Sequence, residues 1–194
     1  MNKRELTNFL SFLHQAEKLK QLMRHSWLSN GRRESVAEHS WRLSLMAMIL
    51  ASQIKRKYDQ AKLLKMAIIH DLAEVIAGDH WAFKAIKLDQ QDKERLGLKE
   101  LVKDLAKDAQ IEIIELWEEY EENKTEEAKL VKALDKVEVL IQHNEAKISS
   151  WNQKEFSFNF EHGDDKCLYD DTLWSLKELV KEECFEKIVR EFSK

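Results

Sequence analysis

The scarcity of helix-breaking residues constrains the fold of this chain more than any other feature. No proline and only 4 glycines occur among the 194 residues, and these are the two residue types least favourable inside helices. Near the N-terminus, apolar side chains recur at helical spacing at Phe9, Phe12, Leu13, Ala16, Leu19 and Leu22. A chain of this length also buries a substantial core. We therefore expect an all-α fold in which residues 1–194 form a single helical domain.

The first helix boundaries follow from apolar spacing and from capping residues. The first helix is expected to end near Arg24, and a polar connection, HSWLSNGRRE, follows it. Ser35 and Glu38 then fit a capping box, in which each side chain binds a free backbone amide at the helix start. His39 is therefore expected in the first turn of a helix that carries almost no charge.

The later helices are placed by the same signals. A third helix is expected at residues 62–76, and a short fourth helix at 81–88. Thr125 is a suitable N-cap for the long helix that follows it. Residues 147–170 lose the helical period, so we expect an irregular excursion there, before a C-terminal helix at 172–192.

The charge balance and the cysteine count exclude several classes of protein. The 32 basic and 36 acidic residues give a net charge of -4, which offers no global attraction to a nucleic acid polymer or an anionic membrane. No stretch approaches the ~20 apolar residues of a membrane span, and the N-terminus lacks the apolar run of a signal peptide. Cys167 and Cys184 have no metal-type spacing and are too few for a disulfide framework. We therefore expect a cytoplasmic protein with reduced thiols.

The segment AIIHDLAEV, residues 67–75, places three ionisable side chains in an otherwise apolar helix. His70, Asp71 and Glu74 project from about a third of the helix circumference, because residues three and four apart lie on one face. An unpaired ionised group removed from water is so costly that it neutralises, acquires a partner or binds a metal. These side chains therefore require a partner.

Two remote helices each deliver a further metal-binding side chain to an apolar face. Asp135 has Val131 and Val139 one turn before and after it, and His39 leads a helix whose inward residues are apolar. Imidazole nitrogen together with carboxylate oxygen suits Mn, Fe, Co, Ni or Zn better than Ca or Mg. Taken singly, each residue has another explanation, since a core histidine is commonly hydrogen-bonded and a buried aspartate commonly pairs with Lys or Arg.

These residues lie in three longer segments: RRESVAEHSWR (32–42), AIIHDLAEVIAGD (67–79) and ELWEEYEENKTEEAKLVKALDKVEVLIQ (115–142). Together the segments resemble the HD-domain metal-dependent phosphohydrolases, and most closely their 5′-deoxynucleotidase branch. The resemblance covers about residues 20–145 and implies a helical bundle of the HD type. It also implies hydrolysis of deoxynucleoside 5′-monophosphates to a deoxynucleoside and phosphate.

The resemblance implies a role for each of these side chains. One divalent transition metal would be held by His39, His70, Asp71 and Asp135. Glu74 matches the family acid that orients or deprotonates the attacking water, and Asp79 matches the acid at the sugar and leaving-group end. Arg24 lies fifteen residues before His39, the interval of a substrate-contacting arginine in the bacterial branch.

The chain departs from the family pattern in three places. The bacterial branch has tryptophan directly after that arginine, whereas this chain has His25 there and Trp27 two residues further on. Trp27 is therefore the residue expected to wall the sugar pocket. Family members commonly carry proline just past the Gly-Asp pair, which this chain lacks, and residues 147–170 have no counterpart. The resemblance further implies a homodimer.

Two alternatives to a deoxynucleotidase are compatible with the residues. One keeps the metal and changes the substrate, giving a deoxynucleoside triphosphate triphosphohydrolase or an alarmone pyrophosphohydrolase. Both substrates carry additional phosphates that need more basic residues, and the small number of basic residues near the site argues against both. The other alternative is a catalytically silent helical module that binds a nucleotide or a partner protein, and the metal content of purified protein separates it from an enzyme.

Overall fold

A computed structural model of the protein describes residues 1–78 and 88–193. Within them the first elements are helices α1 (Lys3–Ala16) and α2 (Lys18–Gln21), strands β1 (Met23–Trp27) and β2 (Arg33–Ser35), and helices α3 (Val36–Leu50), α4 (Gln60–Ile69) and α5 (Glu74–Ala77). The later helices are α6 (Leu88–Val102), α7 (Lys107–Glu122), α8 (Glu126–Glu145), α9 (Glu155–Glu161), α10 (Asp164–Cys167) and α11 (Asp171–Phe192). The all-α prediction is confirmed, while the short helix expected at 81–88 lies almost wholly outside the described residues. Across these described ranges, no helix combines the length and the apolar character that crossing a bilayer requires.

The polar connection after the first helix contains a small antiparallel sheet, which the sequence pattern does not reveal. Strands β1 and β2 pair with each other across a turn. In that turn Gly31 has a φ of +84°, a conformation that glycine adopts without steric cost. The expectation of a helix up to Arg24 is therefore wrong, because the backbone from residue 23 onwards bonds to a second strand instead of continuing the helix.

The capping box expected at the start of α3 is confirmed. The Ser35 hydroxyl accepts a hydrogen bond from the Glu38 amide at 3.3 Å, and the Glu38 carboxylate accepts one from the Ser35 amide at 2.9 Å. Each bond satisfies an amide that the first helical turn leaves without a helical partner. The box therefore defines where α3 begins and holds His39 in a fixed position just after it.

Helix α8 lies at the centre of the main apolar core. Helices α3, α4 and α11 pack against it, and its fully buried apolar side chains include Leu130, Val131, Ala133, Leu134 and Val137. A second apolar cluster joins residues of α2, α6 and α7. Because α8 is enclosed in this way, its acids Asp135 and Glu138 are also removed from water.

The helix expected at residues 62–76 is interrupted by a tight turn at 70–73. Helix α4 ends at Ile69, and α5 begins at Glu74. Between them the Leu72 amide donates to the Ile69 carbonyl at 2.9 Å, and the Glu74 amide donates to the Asp71 carbonyl at 3.0 Å. These bonds span three residues instead of four, so the expectation of one continuous helix is wrong here. The turn carries the His-Asp pair of the central sequence motif.

Residues 147–170 contain more helix than their sequence suggests. A 3-10 turn spans Ile148–Ser150, and the helices α9 and α10 follow it. Gly163, with a φ of +77°, separates the two helices. Elements of one or two turns are too short to show the apolar period that identifies longer helices. The C-terminal helix expected at 172–192 spans Asp171–Phe192.

Candidate metal centre

The four side chains expected to bind metal come from three parts of the chain and meet in one cluster. His39 Nε2 lies 3.3 Å from His70 Nε2 and 3.2 Å from Asp135 Oδ1. Asp71 Oδ2 lies 3.1 Å from His70 Nε2 and 3.8 Å from His39 Nε2. Both imidazole side chains are fully buried, whereas the Asp71 side chain is 18% exposed. The cluster is therefore closed on its histidine side and reaches solvent at a carboxylate.

The hydrogen bonds of the two imidazoles direct both Nε2 atoms into the cluster. His39 Nδ1 bonds to the Glu138 carboxylate, and His70 Nδ1 donates to the Ala67 carbonyl at 2.9 Å. A carbonyl oxygen only accepts, so His70 carries a proton on Nδ1 and presents the lone pair of Nε2 to His39. The two Nε2 atoms lie 3.3 Å apart, a separation that is favourable only when a proton or a metal cation lies between them. Ligand atoms that share a cation lie within about 4.4 Å of one another, twice a bond length of about 2.2 Å. The two Nε2 atoms meet that requirement, and His39, His70 and Asp135 each offer a ligand atom within 4.8 Å of the other two. Asp71 Oδ2 lies within 3.8 Å of both imidazole nitrogens.

Hydrogen bonds also orient the carboxylate that α8 contributes. Tyr120 donates its hydroxyl to Asp135 Oδ2 at 3.3 Å, and Lys136 donates its ammonium to the same oxygen at 2.8 Å. The other oxygen, Oδ1, is the one that faces His39. The bond from His39 to Glu138 acts in the same way, since a carboxylate on the outer nitrogen sets the ring orientation and raises the basicity of the inner nitrogen. The residues present therefore fit a divalent cation.

The electrostatic environment keeps both clustered carboxylates ionised. Burial raises the pKa of Asp71, but the neighbouring histidines and an arginine outweigh it and lower that pKa to about 2. Burial also opposes the ionisation of Asp135, yet Lys136 and His39 hold its pKa well below the ordinary value. In the metal-free protein, burial lowers the pKa of His39, while the adjacent carboxylates overcome this and raise it to about 9. The centre therefore attracts positive charge, which a divalent cation also provides.

Of the two expected substrate contacts, Arg24 reaches the cluster, and the Trp27 ring contacts Arg33. Arg24 Nη1 lies 3.4 Å from Asp71 Oδ2, and its Nε lies 3.3 Å from Glu34 Oε2. The Trp27 ring packs beneath the Arg33 guanidinium, whose central carbon is 5.6 Å from the ring centroid. Strand β1 therefore supplies one cation to the carboxylates of the cluster.

The two acids expected to act on the substrate follow the turn at residues 70–73. Glu74 begins α5, four residues after His70, and its side chain is half-buried. Its amide bonds to the Asp71 carbonyl, so its backbone position is tied to the turn that carries two of the clustered side chains. Asp79 lies outside the described residues.

Sequence reasoning does not single out three charged side chains at the centre: Glu34, Lys136 and Glu138. Glu138 is fully buried and accepts a second bond from Arg42 Nε at 2.7 Å. Its position three residues after Asp135, in the same apolar stripe, is a signal that could have revealed it. Burial and the charge of Glu138 raise the pKa of Glu34 to about 7, despite the nearby arginines. No comparable local signal marks Glu34.

The fold is a helical bundle, and its buried cluster contains two imidazoles and two carboxylates from three segments. These features are typical of helical metal-binding domains. A family model described as "HD domain" matches residues 16–173 of the chain. The protein therefore belongs to the HD domain family, a family that implies a divalent metal.

Individual relatives agree with this family over most of their length. The 5′-deoxynucleotidase HDDC2 of Dictyostelium discoideum is 36% identical over 145 residues, which cover 71% of this chain and 76% of that protein. The 5′-deoxynucleotidase HDDC2 of Homo sapiens is 34% identical over 141 residues, which cover 71% of this chain and 68% of that protein. A crystal structure titled "Predicted metal-dependent phosphohydrolase" from Magnetospirillum magnetotacticum MS-1 is 26% identical, with a TM-score of 0.79 over 95% of both chains. The similarity therefore includes the whole region that forms the cluster.

Proposed function

We propose that this protein is a metal-dependent phosphohydrolase that cleaves deoxynucleoside 5′-monophosphates to a deoxynucleoside and phosphate. The observation that carries the proposal is the cluster in which two Nε2 atoms, 3.3 Å apart, face each other beside two ionised carboxylates. Relatives named 5′-deoxynucleotidase, at 34% and 36% identity, support the substrate class. The family match, over residues 16–173, covers the segments that contain all four side chains.

We assign the binding of one divalent cation to the four clustered side chains, His39, His70, Asp71 and Asp135. The bound cation, one of Mn, Co, Fe, Zn or Ni, supplies a Lewis acid that lowers the pKa of water and offsets phosphoryl charge. The protein holds two carboxylates ionised and two imidazole nitrogens aimed inwards, so most of the ligand set is in place before the cation binds. This preorganisation of the ligands reduces the entropic cost of binding the cation.

We assign Glu74 to the attacking water and Asp79 to the leaving group. In the reaction, water attacks phosphorus, the bond from phosphorus to the 5′-oxygen breaks, and that oxygen takes up a proton. Glu74 follows the turn that carries His70 and Asp71, which supports its role in orienting the water or accepting its proton. The assignment of Asp79 to the 5′-oxygen rests on the family resemblance alone.

We assign substrate binding to strand β1. The Arg24 guanidinium is planar and has donors at a fixed spacing, which suits two oxygens of a phosphate or a sugar. Its contact with Asp71 supports this role because it places the guanidinium beside a clustered carboxylate. Trp27, at the end of the same strand, is the proposed contact to the sugar.

We also propose that the protein is a homodimer. Its support is an apolar strip on the outer face of α3, where Trp41, Met48 and Ile49 are 66%, 53% and 52% exposed. Apolar side chains grouped on one face of a helix are typical of protein interfaces. Sedimentation equilibrium measures the mass, and a monomer at micromolar concentration contradicts this proposal.

Phosphate release from dAMP, dGMP, dCMP, dTMP and dUMP, with Mn²⁺ or Co²⁺ added, tests the proposed activity. We expect release from at least one of them and none from a chelated control. The matching ribonucleotides go through the same assay. For the triphosphates the nucleoside product is measured by chromatography, because a triphosphohydrolase releases inorganic triphosphate and no phosphate. Preferential turnover of a triphosphate favours the triphosphohydrolase alternative. Release no greater than in the chelated control, from every monophosphate, contradicts the proposal.

The variant Glu74→Ala tests the role of the acid. We expect it to lose turnover while it retains bound metal, because Glu74 acts on the water and is not among the clustered ligands. Glu112→Ala is the matched control, since Glu112 lies on α7 and pairs with Lys65 at the surface. Full turnover in Glu74→Ala rules out the assigned role. Protein that contains no stoichiometric transition metal favours the silent-module alternative.

A further inference from the structure

Each carboxylate of the metal cluster has its own cation beside it. Lys136 Nζ lies 2.8 Å from Asp135 Oδ2, and Arg24 Nη1 lies 3.4 Å from Asp71 Oδ2. Lys136 directly follows Asp135 on α8, whereas Arg24 comes from β1. Two cations from distant segments therefore stand at the same two carboxylates to which we assign the metal.

The Lys136 side chain is held in this position from behind. Gly163, with a φ of +77°, brings its backbone so close that a Cβ on it would lie 2.5 Å from Lys136 Cβ. Real atoms do not approach to that distance, so the stem of Lys136 packs directly on the turn between α9 and α10. The side chain as a whole is 32% exposed, so it is not sealed off from solvent. The segment 155–167 therefore limits the directions in which the ammonium can point.

Lys136 lies close to both clustered carboxylates. Its ammonium is hydrogen-bonded to Asp135, and the charge of Asp71 also acts on it. The charge of Arg24 also acts on Lys136, so the two cations share one electrostatic field. The charges of Lys136 and Arg24 repel each other, and an anion that contacts both offsets this repulsion.

A divalent cation changes the balance of charge around Lys136. The negative charge of Asp135 is then shared between the cation and the lysine, and Tyr120 already donates to the same oxygen. An ammonium has three donor hydrogens, and the contact with Asp135 uses one of them. The other two donor hydrogens can bind oxygen atoms of an anionic ligand.

We propose that Lys136 and Arg24 together bind the phosphoryl oxygens of the ligand beside the metal centre. The ligand class is a phosphate dianion, either the ester of the substrate or the inorganic phosphate product. The inference rests on the proposed function for the choice of a phosphate ligand.

Binding of inorganic phosphate to Mn²⁺-loaded protein tests the pair without turnover. The paramagnetic ion broadens the ³¹P resonance of phosphate bound beside it, so a titration gives the phosphate Kd at this site. The affinity for Mn²⁺ is measured separately from the signal of the free ion in electron paramagnetic resonance. For Lys136→Met we expect the phosphate Kd to rise about 10- to 100-fold, the range for loss of a charged hydrogen bond.

Three further variants isolate the charge of Lys136 from its packing. Lys136→Arg keeps the charge, and we expect it to stay within about fivefold of the wild-type phosphate Kd. Gly163→Ala displaces the lysine stem, and we expect it to weaken phosphate binding while Lys136 remains in the chain. Lys129→Met, on the same helix and paired with Glu126, is the control that should leave phosphate binding unchanged.

The results distinguish phosphate binding by Lys136 and Arg24 from a purely structural role of Lys136. The expected pattern is weaker phosphate binding by Lys136→Met with Mn²⁺ affinity retained or increased. An unchanged phosphate Kd in Lys136→Met overturns the inference, and so does a loss of Mn²⁺ binding, because the lysine then only positions Asp135. Wild-type protein that binds Mn²⁺ but no phosphate also overturns it. If phosphate binds as expected while no nucleotide is hydrolysed, the proposed function fails and the phosphate-binding pair stands.

Discussion

Replacing Glu138 by glutamine should weaken metal binding although Glu138 is not among the clustered ligands. The carboxylate is fully buried and accepts bonds from two donors, His39 Nδ1 and Arg42 Nε, through its two oxygens. Glutamine offers one accepting oxygen and one donating amide group. It therefore satisfies one donor and places N–H groups against the other.

Either orientation of the new amide carries a cost. If its nitrogen faces His39, the imidazole moves its proton to Nε2 and loses the lone pair that points into the cluster. If its nitrogen faces Arg42, a buried charged group loses its bond. A lost hydrogen bond to a charged group is worth about 1.5 to 3 kcal/mol, and partners behind metal ligands typically contribute 10- to 100-fold in affinity. We therefore expect the Kd for Mn²⁺ to rise about 10- to 100-fold in Glu138→Gln.

The matched control is Glu145→Gln. Glu145 also bonds to Arg42, through Nη1 at 2.6 Å, but it is exposed. The same chemical change there should alter the Mn²⁺ Kd by less than about twofold, as for an exposed ion pair. Titration of each protein with Mn²⁺, followed by electron paramagnetic resonance, gives the two constants. If Glu138→Gln and Glu145→Gln bind Mn²⁺ equally well, Glu138 does not control the imidazole, and the reasoning is refuted.

Three further predictions concern stability. Adding Mn²⁺ at about 100 times its Kd to chelated protein should raise the Tm by about 5 to 11 °C in a thermal scan, and His39→Ala should abolish that rise; an equal rise in the variant contradicts the ligand assignment. In metal-free protein, the raised pKa of His39 stabilises the fold fully below about pH 6.5, so Tm should fall as the pH rises through about 9, and a Tm that rises over this range contradicts the prediction. Ser35→Ala should lower the free energy of unfolding in urea by about 1 kcal/mol; an unchanged value means that the capping box does not stabilise α3.

The helical class and several helix boundaries could be predicted because their signals are local. The Ser35 and Glu38 pair lies within a single turn, so its hydrogen bonds depend on residues three apart and on nothing distant. The four clustered side chains were recognisable for a related reason, since a charged residue in an apolar stripe is visible in the sequence. Their roles as ligands stay predictions that metal titration tests.

The sheet and the turn at residues 70–73 could not be predicted from local pattern. Strand β1 exists because its backbone bonds to β2, and a helical reading of the same residues is equally consistent with their spacing. The turn likewise keeps residues in nearly helical conformations, and only the span of its hydrogen bonds differs. In both cases the deciding hydrogen bonds are invisible in the spacing of apolar residues.

Helix propensity, capping and periodicity act over a few residues, so the order of the residues is enough to predict a helical bundle with histidines and acids on its apolar faces. The contact of Glu138 with His39, 99 positions away in the chain, and the positions of Lys136 and Arg24 beside two carboxylates emerge only when the chain is folded. The energy of an ion pair or a hydrogen bond depends on separation in space, and packing around α8 sets that separation.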